Sequence, residues 1–79
     1  MIINEKDEVT LRNIGSRLRR VRKLYGMTQS QVGKRLGLSG QQVCKYEFGQ
    51  DQVSILLALK YATLFKMSIY VLFHPSDTI

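Results

Sequence analysis

Residues 28–49, TQSQVGKRLGLSGQQVCKYEFG, decide the fold. Within them, two segments have the form S/T-x-x-Q, one beginning at Thr28 and the other at Ser39. In such a capping box the hydroxyl accepts a hydrogen bond from a backbone N–H of the first helical turn, and the Gln side chain bonds back to the cap. Gly37 and Gly49 stand where the two helices would end, and glycine adopts the left-handed conformation common there. The stretch therefore predicts two short helices joined by a tight turn.

The charge balance of the chain favours a polyanionic partner. The 79 residues carry a formal net charge of +6, from 12 Lys and Arg against 6 Asp and Glu. The acids are concentrated near the start, where Glu5, Asp7 and Glu8 stand within four positions. Basic side chains that contact phosphates release condensed counterions, which drives binding to nucleic acid. The alternative is an ordinary solvated surface with spare lysines.

Several classes of function lack the residues that they need. Cys44 is the only cysteine and His74 the only histidine, too few for a structural zinc site or a catalytic set. No glycine-rich phosphate-binding motif occurs, and no apolar run approaches the ~20 residues that span a membrane. The sequence predicts no metal, no cofactor, no catalysis and no membrane segment. A single cysteine suits a reducing compartment, so we expect a cytoplasmic location.

Apolar periodicity predicts five short helices and no strand. In the first helix Leu11, Ile14 and Leu18 recur at spacings typical of one helical face. That helix is predicted to begin between Asp7 and Thr10, and Gly15 inside it to weaken it. The other helices are predicted at about 29–36, 40–48, 53–65 and 68–73. The predicted domains are an acidic N-terminal arm at 1–9, a helical domain at 10–74 and a C-terminal tail at 75–79.

The fourth and fifth helices carry more apolar residues than a small core needs. The inward side predicted for the fourth helix is Ile55, Ala58, Leu59, Ala62 and Phe65. Leu56, Leu57 and Leu64 then remain partly outside, which is typical of a self-association face. We expect a homodimer whose face, on the fifth helix, comprises Ile69, Val71, Leu72 and Phe73.

From Ile14 to Phe73 the chain resembles the phage-repressor and Cro-like (XRE-type) helix-turn-helix regulators. The matching pieces, in order, are Ile14-Gly15, LRRVRK at 18–23, GMTQ at 26–29, LGLS at 36–39, Val43, KYE at 45–47, Gly49 and residues 62–68. The resemblance implies a compact five-helix, lambda-repressor-like DNA-binding domain. In this motif the second helix, here the recognition helix at 40–48, enters the DNA major groove.

The resemblance also implies a set of DNA contacts. The residues that would contact base edges are Gly40, Gln41, Gln42 and Lys45. A Gln amide pairs with adenine and a Lys with the acceptors of guanine. For Gln42, capping the helix is an equal alternative. The expected phosphate contacts are Gln29, Lys34, Gln50, Gln52 and, with solvation as an even alternative, Arg17. The resemblance implies that Gln29 also braces the recognition helix.

Three further residues are assigned structural or unfavourable roles. The resemblance implies an ion pair between Arg22 and Glu47, which would lock the recognition helix onto the first helix. Asp51, in the loop after the recognition helix, is expected to repel phosphate.

The function predicted from the sequence is a DNA-binding transcriptional regulator with no enzymatic activity. We expect a dimeric repressor or autoregulator that binds a near-palindromic operator. The alternative is an antitoxin-type interaction module that neutralises a small partner protein and binds DNA secondarily. The regulator interpretation fails if the fold covers Gln41 and Lys45.

Overall fold

The computed structural model describes residues 4–74, which form five helices and no strand. The helices are α1 (Glu5–Leu24), α2 (Gln29–Leu36), α3 (Gly40–Glu47), α4 (Ile55–Phe65) and α5 (Ile69–Leu72). α3 packs against both α1 and α2, while α4 and α5 close the other side of the core. The predicted all-α, five-helix fold is confirmed. The predicted tail at 75–79 and the first three residues of the predicted arm lie outside the described residues.

α1 begins earlier than predicted, so residues 5–9 belong to a helix and not to an arm. Asn4 caps it: its Oδ1 accepts from Asp7 N at 2.9 Å, and Asn4 N donates to Asp7 Oδ2 at 3.3 Å. Glu5, Asp7 and Glu8 occupy the first turn, where negative charge is favourable against the helix dipole. The acidic cluster that suggested a loose arm is therefore a helix start, closed by a capping box of Asn4 and Asp7 that does not have the S/T-x-x-E/Q form.

Gly15 allows α1 and α3 to approach each other closely. A Cβ at this position would clash with the backbone carbonyl oxygens of Tyr46 and Glu47. No side chain fits in that space without moving the backbone of α3. The predicted cost of a glycine inside a helix is thus offset by a helix contact that larger residues would prevent.

The orientation of α4 differs from the prediction. Leu57 is buried, whereas Ile55 is 77% exposed and Leu59 is 50% exposed. The buried residues of this helix are Leu57, Ala58, Tyr61 and Phe65. Because almost every position of α4 is apolar, periodicity alone does not fix which side faces inward. Ser54 sets the first turn, with its Oγ accepting from Leu57 N at 3.1 Å.

The predicted dimer face on α5 is wrong in part. Leu72 has no exposed surface and is a member of the core, and Phe73 is half-buried against it. Ile69 and Val71 are exposed, so their place in a dimer face stays a prediction. We define the α4–α5 face by the exposed apolar residues of these two helices, which are Ile55, Leu56, Leu59, Ile69, Tyr70 and Val71.

Candidate nucleic-acid interface

The turn between α2 and α3 is built by local hydrogen bonds. Thr28 and Gln31 form the predicted capping box: Gln31 N donates to Thr28 Oγ1 at 3.0 Å, and Thr28 N donates to Gln31 Oε1 at 2.8 Å. Gly37 ends α2 with φ of 77°, which permits Leu38 N to donate back to Gly33 O at 2.7 Å. The helix-turn-helix geometry predicted from residues 28–49 is therefore present.

The start of α3 lies tightly against the start of α2. A Cβ at Gly40 would be 2.9 Å from Ser30 Oγ and 3.2 Å from Ser30 N. The missing side chain of Gly40 thus faces α2 and not solvent. Gly40 was predicted to contact base edges, but this geometry leaves it only its backbone for such a contact.

Glu47 anchors α3 to the scaffold through a buried cluster. Its Oε2 accepts from Arg22 Nε at 2.6 Å, and its Oε1 accepts from Arg22 Nη2 at 3.0 Å. Arg22 Nη1 also donates to Met27 O at 2.8 Å, so one guanidinium ties α3 to the segment before α2. The hydrogen bond to Glu47 raises the pKa of Arg22, which keeps the guanidinium charged. The predicted ion pair of Arg22 and Glu47 is confirmed.

Gln29 joins the same cluster. Its Nε2 donates to Glu47 Oε1 at 3.1 Å, which links the first residue of α2 to the last residue of α3. The family resemblance implied that this residue both braces the recognition helix and contacts a phosphate. The bracing contact is present, and the phosphate contact stays a prediction.

The opposite side of α3 is uncovered. Val43 and Glu47 are buried, whereas Gln41 and Lys45 are exposed. Gln41 and Lys45 are one helical turn apart, so their side chains project from one side of α3. The DNA-binding interpretation would have failed if the fold covered these two residues, and nothing within residues 4–74 covers them.

Gln42 does not behave like Gln31, although both stand third after a hydroxyl cap. Ser39 Oγ accepts from Gln42 N at 3.1 Å, so half of the second predicted capping box is present. The Gln42 side chain does not return to the cap: its Nε2 donates to Asp51 Oδ2 at 2.9 Å. The second box is therefore incomplete, because a carboxylate from the following loop competes for the amide.

Of the expected phosphate contacts, Lys34, Gln50 and Gln52 are exposed and Arg17 is not. Arg17 is 6% exposed, and its Nη1 donates to Val71 O at 3.2 Å and to His74 O at 2.9 Å. These carbonyls lie at the end of α5, where a positive charge is favourable. Arg17 is thus a structural residue that holds α5 on α1, and its assignment to phosphate was wrong. No local pattern could have predicted this contact, since it joins residues more than fifty positions apart.

The part of the chain that the structure describes offers neither a metal site nor a membrane-spanning helix. Residues 4–74 contain no cluster of His, Cys, Asp or Glu side chains suited to hold a metal ion. None of the five helices combines the length and the apolarity required to cross a bilayer.

Known proteins have sequences similar to that of this chain. Residues 18–72 match a protein family described as Helix-turn-helix. An uncharacterised HTH-type transcriptional regulator of Archaeoglobus fulgidus is 36% identical over 62 residues, which are 78% of this chain and 89% of that relative. Another from Sinorhizobium medicae is 44% identical over 41 residues.

A solved structure has a similar fold and a related sequence. The restriction-modification controller protein C.AhdI from Aeromonas hydrophila superposes with a TM-score of 0.75 at 35% identity, covering 80% of this chain and 96% of that one. Three of the curated relatives are much longer proteins, of which this chain spans only 21% to 30%. Their likeness to this chain is therefore confined to one segment of each.

Proposed function

The chain belongs to the helix-turn-helix family of DNA-binding transcriptional regulators, which are not enzymes, and from that premise we propose how it binds DNA. It acts as a homodimeric repressor or autoregulator on a near-palindromic operator. The observation that carries the proposal is the exposure of Gln41 and Lys45 on a helix whose other side is held by the buried Glu47 cluster. A rigid helix with an uncovered polar side can enter the major groove without rearrangement of the fold.

Lys45 and Gln41 contact base edges in this proposal. The Lys45 ammonium donates to the O6 and N7 acceptors of guanine, and the Gln41 amide pairs with adenine. Since the two side chains lie one helical turn apart, they address neighbouring base pairs of one half-site. Gly40 contributes at most a backbone contact, because a side chain at this position would point at Ser30.

The phosphate contacts come from residues around the recognition helix. Lys34 is exposed in the last turn of α2, the helix that crosses the DNA backbone in such motifs. Gln50 and Gln52 are exposed in the loop after α3, and Gln29 stands at the start of α2. The chain's net charge of +6 supports the same partner, since each neutralised phosphate releases counterions.

The α4–α5 face forms the homodimer interface in this proposal. Leu56 is 65% exposed and Ile55 is 77% exposed, and large apolar side chains gathered on two adjacent helices favour burial against a second copy. Ile55 and Ile69 also line a groove of about 360 Å³ against α1, into which side chains of the partner would pack. A two-fold dimer of helix-turn-helix domains places its recognition helices about 34 Å apart, one helical turn of DNA.

The same face leaves the antitoxin alternative open to test. An apolar surface that receives a second copy of this chain could instead receive a small toxin protein. Purification of the native protein from its host discriminates the two: a homodimer supports the repressor proposal, and a stoichiometric small partner supports the alternative.

Selection of bound fragments from random duplex DNA tests the proposed function directly. We expect two related half-sites with inverted symmetry, and an affinity that falls steeply as salt rises. Transcription in vitro from a promoter that overlaps the selected operator should decrease when the protein is added. Recovery of no consensus sequence would overturn the proposal, and recovery of a single half-site would overturn its dimeric part.

A further inference from the structure

Asp51 holds the side chain of Gln42 in one orientation. The Gln42 amide nitrogen, Nε2, donates to Asp51 Oδ2 at 2.9 Å, and the other carboxylate oxygen, Oδ1, accepts from Gln52 N at 2.9 Å. The carboxylate is thus tied to its own loop while it binds the amide. The backbone N–H of Gln42 is held as well, by Ser39 Oγ at 3.1 Å. Both the main chain and the side chain of Gln42 therefore have fixed partners before DNA arrives.

This contact distinguishes the two ends of the amide. A free Gln side chain can turn its amide over and present either NH₂ or C=O to a base. An ionised carboxylate is only an acceptor, so Asp51 binds the nitrogen end and never the oxygen end. The carbonyl oxygen, Oε1, must then point away from Asp51. Hydrogen bonds with a charged acceptor are stronger than neutral ones, which favours this orientation over its reverse.

Gln42 is placed to use that oxygen on DNA. At 100° per residue, it lies 60° from Lys45 around α3, on the uncovered half of the helix, and it is half-buried. In the major groove the hydrogen-bond donors are the amino groups N6 of adenine and N4 of cytosine, whereas guanine and thymine present acceptors. An outward carbonyl oxygen accepts from the first pair and repels the second.

We propose that Asp51 is a positioning residue for base recognition: by binding the Gln42 amide nitrogen it makes Gln42 select adenine or cytosine over guanine or thymine at one base of the half-site. The proposal rests on the proposed function, because it assigns a base preference to the same DNA-facing side. It also gives a role to an acidic residue whose charge, beside a phosphate backbone, otherwise only weakens binding.

The test measures the affinity of the full-length protein for operator duplexes in which each half-site position carries all four bases in turn. Four proteins are compared: wild type, Gln42→Ala, Asp51→Ala and the double variant. The position at which Gln42→Ala removes a preference identifies the base that Gln42 contacts. In the wild type we expect adenine and cytosine to be preferred there by about 3- to 10-fold, the worth of one hydrogen bond.

Asp51→Ala should reduce that preference to less than about twofold, since the released amide presents either end. Loss of the negative charge should also raise the affinity for all duplexes alike, and this uniform gain should persist in the double variant. The double variant should show the same relative affinities among the four bases as Gln42→Ala alone. Comparison of the four proteins thereby separates the effect of Asp51 on base preference from the effect of its charge on overall affinity. Because Asp51 is exposed, its removal should leave the unfolding midpoint close to that of wild type.

Three outcomes overturn the proposal. They are an unchanged preference in Asp51→Ala, a preference for guanine or thymine at the Gln42 position, and no position that responds to Gln42→Ala. In each case the operator would still be bound specifically, so the proposed function would stand. A wild-type protein that discriminates no sequence at any position would instead overturn the proposed function and this inference with it.

Discussion

The uncovered side of α3 and the α4–α5 face are both exposed, but their chemistry and their internal support are opposite. The first presents Gln41 and Lys45 and is supported from behind by the buried, directional hydrogen bonds of Glu47. The second presents leucine, isoleucine, valine and tyrosine and is supported by close-packed side chains such as Phe65. The base edges of DNA present a pattern of hydrogen-bond donors and acceptors, so their recognition requires matching groups at fixed positions. A protein partner is held largely by buried apolar area. We therefore expect binding by the uncovered side of α3, the DNA side, to depend on single residues. Association through the α4–α5 face should depend on the total apolar area that is buried.

The largest expected effect is on the support of the DNA side. Glu47→Gln removes the negative charge and leaves Arg22 buried without its partner, so the free energy of unfolding should fall by about 3–5 kcal/mol. Urea denaturation measures it. The matched control is Glu8→Gln, an exposed acid in the first turn of α1, for which the expected loss is at most about 0.5 kcal/mol. Equal losses in the two variants would contradict the role given to the Glu47 cluster.

The next effect concerns the proposed dimer. Leu56→Glu introduces a charge into the α4–α5 face, and burial of that charge in the interface should raise the dimer dissociation constant by more than about tenfold. Sedimentation equilibrium measures the constant. Leu24→Glu serves as the control, since Leu24 is 78% exposed at the end of α1, outside this face. If both variants dimerise like wild type, the interface lies elsewhere.

Within the DNA side, base contacts and phosphate contacts should separate. Lys45→Ala should cost about 1–3 kcal/mol at one base pair and relax the preference there. Lys34→Ala should weaken binding to all sequences alike and lower the slope of log affinity against log salt by about 0.9. Affinity measurements on operator variants at several salt concentrations test both. Uniform losses for both variants would remove Lys45 from base recognition.

The smallest expected effect concerns the close-packed core that supports the α4–α5 face. Tyr61 is 1% exposed, and its hydroxyl has no hydrogen-bond partner within residues 4–74. Burial raises the pKa of this hydroxyl, so it stays neutral. Tyr61→Phe should therefore leave the free energy of unfolding unchanged or raise it by up to about 1 kcal/mol. A fall in the free energy of unfolding would instead show that the core behind α4 and α5 also relies on a polar contact.

Much of the fold was predictable because its signals are local. Thr28 and Ser39 cap their helices through N–H groups three residues away, and Gly37 and Gly49 end helices through their own positive φ. Such contacts involve neighbours in the chain, so the sequence displays them directly. The ion pair of Arg22 and Glu47 was assigned through the family resemblance, since nothing local marks it.

Tertiary packing alone determines which of several competing hydrogen-bond partners a polar side chain binds. The capping motifs at Thr28 and Ser39 have the same form, yet Gln31 closes its box while Gln42 binds Asp51. Arg17 reads as a surface cation and instead holds the end of α5.

The amino-acid sequence on its own determined that helices form, where they are capped and that one of them leaves polar residues uncovered, because those properties follow from short-range periodicity and hydrogen bonding. The inward side of the nearly all-apolar α4, the partner of each polar side chain and the close approach at Gly15 required the folded molecule. Each depends on which groups distant in sequence arrive at the same place, and a local pattern carries no information about that.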